Sequence, residues 1–407
     1  MSLCFILWVK GSKKRQIGKI NALLFVIFAI ICYFCKQNSS FDKVSDRYYM
    51  KIIHTISNKA WGGGEQTVLD LSRRQLKDGI DVELCCIPME SMVEHFRELS
   101  VPIHRMPLRG VLDLKSAWMM AKLLKNSDID AIHVHNFKEA FSAAYARVIA
   151  GRKDIRLVMC RNLTRKGKTS IIYRWLYSQL DCIVFDSQLA MDEFMSTNPP
   201  IRRDKLQVIF NAIIVPDDLK AKDLRAEFGI ADDETIILCH GRLDPEKGQH
   251  ILIEAAALLK GEKFKLVLVG GGSEEYTNYL KSLVQKHQLE GTVMMAGFVD
   301  SVMAYVAGGD IGVLPSIVAE GCSLAAQEHM SFGHPIVATN NGGQREYIFD
   351  GKNGLLVPPA DPDALADALR RLLDDQELCK TLGAQAKSDF DDHLNYESFY
   401  HRMSKIY

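Results

Sequence analysis

The chain of 407 residues lacks net charge of either sign: 50 lysines and arginines balance 50 aspartates and glutamates. It has no basic domain with stacking aromatics on one face, so a nucleic-acid partner is not expected. Paired cysteine motifs are also missing. Of ten cysteines, only Cys32 and Cys35 form a Cys-x-x-Cys, inside an apolar run and without a second pair or a nearby histidine, which excludes a convincing zinc or redox centre. The others are scattered through apolar segments, as the reduced, buried thiols of a cytoplasmic protein would be. Gly270–Gly272 lacks the spacing of a dinucleotide fingerprint and reads as a turn.

Long apolar runs are scarce. Residues 20–35, INALLFVIFAIICYFC, follow Lys13, Lys14, Arg15 and Lys19 and stand at the short end for a membrane span. They are a possible membrane segment, an interfacial segment, or part of a stretch, residues 1–49, that precedes the real start. Met50-Lys-Ile-Ile-His-Thr-Ile opens directly on a strand pattern, which favours the last reading. Charge is uneven along the chain: Lys and Arg against Asp and Glu number 8 to 2 over residues 1–49, 24 to 19 over 50–217, and 18 to 29 over 218–407. A basic front and an acidic back suit a protein whose first half sits near an anionic surface while the second handles a small ligand.

From Lys51 short apolar runs alternate with helical patterns. KIIHTI, VELCCI, AIHVH, LVMC, CIVF and LQVI read as buried parallel strands, and a second set follows with TIILCH, KLVLV, TVMMAGF, IGVLPS, PIVAT and GLLVPP. Between them NAIIVPDDLKAKD has the composition of a linker. The expected domains are a basic, apolar extension (1–49), a first Rossmann-like domain (50–216), a second (217–390), and a helix crossing back to the first (391–407).

The richest stretch is PSIVAEGCSLAAQEHMSFGHPIVATNNGGQRE, residues 315–346. Glu320 and Glu328 are eight positions apart, which on one helix would set them roughly 80° apart. They are better placed with Glu320 on a loop and Glu328 inside a helix capped by Ser323. Gly321 permits close approach of the backbone, and the free amides after Ser323 favour an anion. A carboxylate on each side of an anion site suits a sugar joined to phosphate.

With its Glu-x7-Glu spacing, this stretch resembles the retaining glycosyltransferases of the GT-B fold, group 1 or family 4. The resemblance implies two doubly wound parallel-sheet domains facing a central cleft. It assigns the donor sugar to Glu320 and the nucleotide ribose to Glu328. In Gly-Arg-Leu-Asp-Pro-Glu-Lys-Gly it implies that Arg242 and Lys247 clamp the diphosphate and neutralise the departing nucleotide. Trp61-Gly-Gly-Gly-Glu65, ahead of a helix expected from Gln66, resembles the family's opening unit, with Gly63 and Gly64 at the donor. In Ala131-Ile-His-Val-His135-Asn136, strand alternation puts His133 and His135 on one face, and the resemblance makes His135 the residue beside the transferred sugar. The backbone near Val299 would lie by the nucleotide base. Cys322 and Ser323 depart from the aromatic and glycine usual in the family, which bears on the choice of sugar; with Gly321 and Leu324 they complete the donor loop.

The expected reaction is retaining transfer of a hexose from UDP or GDP to a glycan or lipid-linked hydroxyl, in surface polysaccharide or lipopolysaccharide assembly. Arg242 and Lys247 supply the positive charge, so no essential metal or cofactor is expected. Arg147, Arg152, Lys153, Arg156, Arg161, Arg165, Lys166, Lys168 and Arg174, followed by Tyr173, Trp175 and Tyr177, suggest peripheral contact with the inner face of a membrane. Two rival readings are a nucleotide-sugar epimerase of the same fold and a non-catalytic subunit that binds nucleotide sugar.

Overall fold

The computed structural model describes residues 50–59 and 61–407; the apolar run 20–35 and the Cys32–Cys35 pair lie outside them. Two sheets carry the fold. The first holds β1 (Lys51–Ile56), β2 (Asp81–Cys86), β3 (Ile103–Arg105), β4 (Ala131–Val134), β5 (Arg156–Arg161), β6 (Cys182–Phe185) and β7 (Leu206–Val208), in the order β3-β2-β1-β4-β5-β6-β7. The second holds β8 (Thr235–His240), β9 (Phe264–Val269), β10 (Val293–Gly297), β11 (Ile311–Leu314), β12 (Ile336–Thr339) and β13 (Leu355–Val357), in the order β10-β9-β8-β11-β12-β13. The ladders between them run parallel, for example β1 with β4 and β8 with β11. The described residues form two compact units: one of 50–59 with 72–159 and 179–181, the other of 61–71, 160–178 and 182–407.

Strand alternation explains the packing of the second sheet. Ile237, Leu266, Leu268, Ile311 and Val313 face the helices Gln249–Leu258, Glu274–Lys286 and Pro362–Asp374, meeting Leu252, Leu280, Leu365 and Leu369. Their neighbours Ile236, Leu238, Val267 and Val269 point the other way, onto Leu224 and Val306. Both faces are therefore apolar, as a parallel sheet covered on both sides requires. Each such buried aliphatic side chain contributes about 1.5–3 kcal/mol relative to exposure.

Two elements differ from the sequence reading. β3 pairs Ile103 with Leu84 and Arg105 with Cys86, but it carries a single apolar residue and so leaves no apolar run to read. The first helix begins at Gly63 rather than Gln66. Gly63 and Gly64 thus occupy its first turn, where the amides have no intrahelical acceptor and the low helix propensity of glycine costs least.

One buried amide holds the loop behind the second sheet. Asn353, fully buried, donates from Nδ2 to the carbonyl of Tyr347 at 2.8 Å and to Asp389 at 2.6 Å, and its Oδ1 accepts from Phe349 N at 2.7 Å. Asn353→Ala removes three hydrogen bonds at once and strands the buried Tyr347 carbonyl, so it is expected to cost about 2–4 kcal/mol of unfolding free energy. Urea titration measures this, and a loss below about 1 kcal/mol would show that the three bonds do not act together.

Candidate functional site

In each sheet the chain reverses direction of growth between a first and a fourth strand: β1 beside β4, and β8 beside β11. Crevices outside the carboxyl ends of strands at such reversals are where open α/β sheets bind ligands. Both places carry polar clusters.

At the β8–β11 reversal, β8 leads into a tight turn. Asp244 accepts from Glu246 N at 3.0 Å and caps the short helix Pro245–Lys247. Gly248 follows with φ +72°, and a Cβ there would stand 2.0 Å from the carbonyl oxygen of Pro315. The loop after β11 therefore lies directly on this turn, and Ile317 N donates to the Glu246 carbonyl at 2.8 Å. The outcome is that Lys247 Nζ sits 2.9 Å from the Glu320 carboxylate, whose other oxygen accepts from the Ser316 hydroxyl. Arg242 extends into solvent with its side chain 66% exposed, 3.5 Å from Asp244, while its carbonyl accepts from Gln249 Nε2 at 3.0 Å. The Gly270–Gly272 turn runs alongside, with Gly272 bridged to Leu243.

The helix Leu324–Ser331 starts where the sequence suggests, with Ser323 at the cap position and Glu328 within it. The Ser323 hydroxyl makes no capping bond. Instead the Tyr347 hydroxyl accepts from Ser323 N at 3.0 Å and donates to Ser323 O at 3.2 Å. Glu328 pairs with His240 at the end of β8. The two glutamates thus have separate partners, a lysine for one and a histidine for the other.

Gly321 makes a close approach, though to protein: a Cβ there would lie 2.3 Å from the carboxylate of Asp186. Asp186 is 4% exposed, and burial pushes its carboxyl up to about 6, partly offset by a hydrogen bond from the Cys322 amide. Cys322 Sγ lies 3.0 Å from Gln327 Nε2 and 3.7 Å from the carbonyl of Asn211. Leu324 lies beside Gly63, where a Cβ would come within 2.9 Å of its Cδ1, whereas a Cβ on Gly64 would meet nothing within 4 Å. Val299 packs against the Leu224 cluster, leaving its neighbour Phe298 81% exposed.

At the β1–β4 reversal, register pairs His54 with His133, and His135 follows on the same face. The His133 and His135 rings are 4.2 Å apart between centroids, and those of His54 and His133 are 5.1 Å apart. His54 Nε2 is 2.8 Å from Gln75 Oε1, and His54 Nδ1 is 3.2 Å from His135 Nε2. The backbone of His135 donates to Glu139 at 2.8 Å, and the Thr55 hydroxyl donates to the same carboxylate at 2.5 Å. Burial lowers His54 to about 4 and holds His133 and His135 well below the ordinary histidine range; burial also raises the Glu139 carboxyl. The three imidazoles offer nitrogens within 4.8 Å of one another, close enough to share a transition-metal ion. Hydrogen bonds to Gln75 and His135 already occupy both nitrogens of His54.

Sequence reasoning missed His54, Gln75, Asp186, His240 and Tyr347. His54 and His240 had a usable signal, each being a histidine in the carboxyl-terminal half of a strand rich in apolar residues. The basic segment divides on inspection. Arg147 is structural, bonded to Asp181 at 2.6 Å and to the Ile155 carbonyl at 2.8 Å, and Arg161 is buried. Arg165, Lys166, Lys168 and Arg174 remain exposed. Among the described residues, no helix is long and apolar enough to cross a membrane.

Two parallel-sheet α/β domains with these clusters define a GT-B fold. Residues 61–215 match the pattern described as Glycosyltransferase Family 4, and residues 220–389 match that of Glycosyl transferases group 1. The chain belongs to the group 1 glycosyltransferases and is a transferase enzyme. It is 27% identical over 323 residues to N-acetyl-alpha-D-glucosaminyl L-malate synthase of Bacillus anthracis, covering 77% of this chain and 83% of that one. It is 28% identical over 304 residues to a Campylobacter jejuni enzyme, N-acetylgalactosamine-N,N'-diacetylbacillosaminyl-diphospho-undecaprenol 4-alpha-N-acetylgalactosaminyltransferase, covering 72% and 80%. The crystal structure of HepE from Anabaena in complex with UDP superposes with TM-score 0.76 at 21% identity, covering 88% of this chain and 99% of that one.

Asp186 generates a test. Its native carboxyl titrates near 6 against 3.8 for the ordinary group, so between these values the native state holds a proton that the unfolded state has released. Stability from this group is therefore lost as pH rises through that window, by about 3 kcal/mol in total. Asp186→Asn removes the titration, so the variant should gain stability relative to the parent from pH 4 to 7. Urea midpoints at four pH values measure it; parallel curves would show that Asp186 is ionised throughout.

Proposed function

We propose that this enzyme transfers a hexose from a nucleoside-diphosphate sugar, UDP- or GDP-linked, to a hydroxyl of a glycan or lipid-linked acceptor, with retention at the anomeric carbon. The observation that carries the reading is the meeting of Lys247 and Glu320 at the reversal of the second sheet, with Arg242 just past the end of β8 and Glu328, on the helix Leu324–Ser331, paired with His240 at that strand end. In this reading Arg242, Lys247 and the helix start at Ser323 hold the diphosphate and stabilise it as the bond to the sugar breaks. Glu320 orients the sugar and Glu328 the ribose. Gly321, Cys322 and Leu324 form the donor loop, with Gly63 and Gly64 beside it and the Val299 backbone near the base. His135 touches the transferred sugar. The arrangement needs no metal, since two cations supply the charge.

UDP in the HepE structure and the diphospho-undecaprenol acceptor named for the Campylobacter enzyme support the donor and acceptor classes. Exposed Leu163 and Ile171, beside Arg165, Lys166, Lys168 and Arg174, suit docking on an anionic bilayer that presents such an acceptor. The functional domains are then 50–216 for the acceptor and 217–390 for the donor, with 391–407 returning to the first; Arg402 donating to the Val208 carbonyl supports that return. The product belongs to surface polysaccharide or lipopolysaccharide assembly.

Thermal protection by a panel of UDP- and GDP-sugars identifies the donor, because a ligand at 100 times its Kd adds about 2.7 kcal/mol to native stability. With that donor and a lipid-linked acceptor, Arg242→Ala should lower kcat by about 10²–10³, the scale of losing one charge-stabilising group. The fold should be intact, as the Arg242 side chain is exposed. Unchanged turnover in this variant refutes the assignment.

A further inference from the structure

We propose that Gln75 and His54 form a hydrogen-bonded relay that fixes the ring tautomer of His135, with its Nε2 protonated and its Nδ1 bare as an acceptor. The functional consequence rests on the placement of His135 beside the sugar; the relay itself rests on geometry alone.

The direction of the relay is set at its buried end. Gln75 is 1% exposed, on the helix Gly63–Lys77, and its amide oxygen lies 2.8 Å from His54 Nε2. An amide oxygen only accepts, so His54 Nε2 carries the hydrogen. A neutral imidazole has one N–H, which leaves His54 Nδ1 bare. That atom is 3.2 Å from His135 Nε2, and a bare nitrogen there requires a donor opposite it. His135 therefore carries its hydrogen on Nε2, and its Nδ1 has a free lone pair.

The surroundings keep this assignment single-valued. Burial holds His54, His133 and His135 neutral, so no ring supplies a second N–H. Glu139 is engaged by the Thr55 hydroxyl and the His135 backbone rather than by an imidazole nitrogen. The amide nitrogen of Gln75 has no partner among the described residues. Gln75 is thus held through its oxygen, the atom that polarises His54.

An Nδ1 lone pair makes His135 an acceptor for a sugar hydroxyl and not a donor to an oxyanion. Such a site rejects a sugar that lacks that hydroxyl, because the bare nitrogen is then left unpaired. His54 and Gln75 act as positioning residues, since both reach the sugar only through His135.

The test is a long-range 1H–15N correlation spectrum of the full chain labelled with 15N-histidine at pH 7, in which protonated and bare ring nitrogens separate by shift and coupling. His135 is assigned by the signals that disappear in His135→Ala. The parent should show His135 protonated on Nε2. Gln75→Met, of similar length but without an acceptor, should convert His135 to a mixture of both tautomers. His135 protonated on Nδ1 in the parent overturns the proposal, as does a pure Nε2–H form that persists in Gln75→Met. The parent spectrum is decisive even if the methionine variant does not fold. None of these readouts needs turnover, so failure of the relay is distinguishable from failure of the sugar-site role, which His135→Ala kinetics decides.

Discussion

The close packing of the turn after β8 on the loop after β11, where the second sheet reverses, brings Lys247 to Glu320. β8 and β11 are paired in a parallel ladder but lie more than seventy residues apart in sequence, so beyond that ladder their carboxyl ends are held together by side chains and loop backbone. Gly248 lets the turn after β8 lie on Pro315, Ile317 bonds back to Glu246, and the pair closes the arrangement at 2.9 Å. The lysine side chain is 33% exposed and the carboxylate 18%, so solvent screens the attraction. A pair of this kind is worth at most about 1 kcal/mol.

The first sheet solves a different problem at its own reversal. Three imidazoles share one face of β1 and β4, and protonating them together in a water-poor site would be prohibitive. Neutrality is the physical solution, and a cluster of neutral rings must then agree on which nitrogens carry hydrogen. A buried amide oxygen at one end settles that agreement. Order at the half-buried end, His135, is thereby imposed from the helix Gly63–Lys77 rather than by solvent.

Much of this architecture was legible in the sequence because parallel strands buried on both faces are written as continuous apolar runs. KIIHTI, CIVF and TIILCH coincide with β1, β6 and β8. Glu320 on a loop and Glu328 in a helix were also legible, since turn residues precede an apolar helical pattern. What could not be read depends on neighbours remote in sequence. β3 exists because β2 offers it a ladder, not because Ile103-His-Arg105 prefers extension. Asp186 meets Gly321, and Tyr347 replaces the Ser323 hydroxyl as partner of the helix start, across separations that no local pattern encodes. Arg147 and Arg161 looked like members of a surface patch because charge in a sequence carries no mark of burial.

The departure at Cys322-Ser323 can be weighed in the same terms. A bulky aromatic at position 322 would have to occupy the space that the small thiol now fills, against Gln327 Nε2 and the Asn211 carbonyl. Gln327 is fully buried and also donates to Asn211 at 2.6 Å, so sulfur, amide and carbonyl form one packed unit. The thiol is held neutral, its ionisation driven upward mainly by burial with the Asp186 charge adding to it. Cysteine at this position is accordingly a packing residue, matched to the buried Gln327 behind it. An aromatic at 322 would therefore have to displace Gln327 from the Asn211 carbonyl, which is the physical reason that a small side chain stands there.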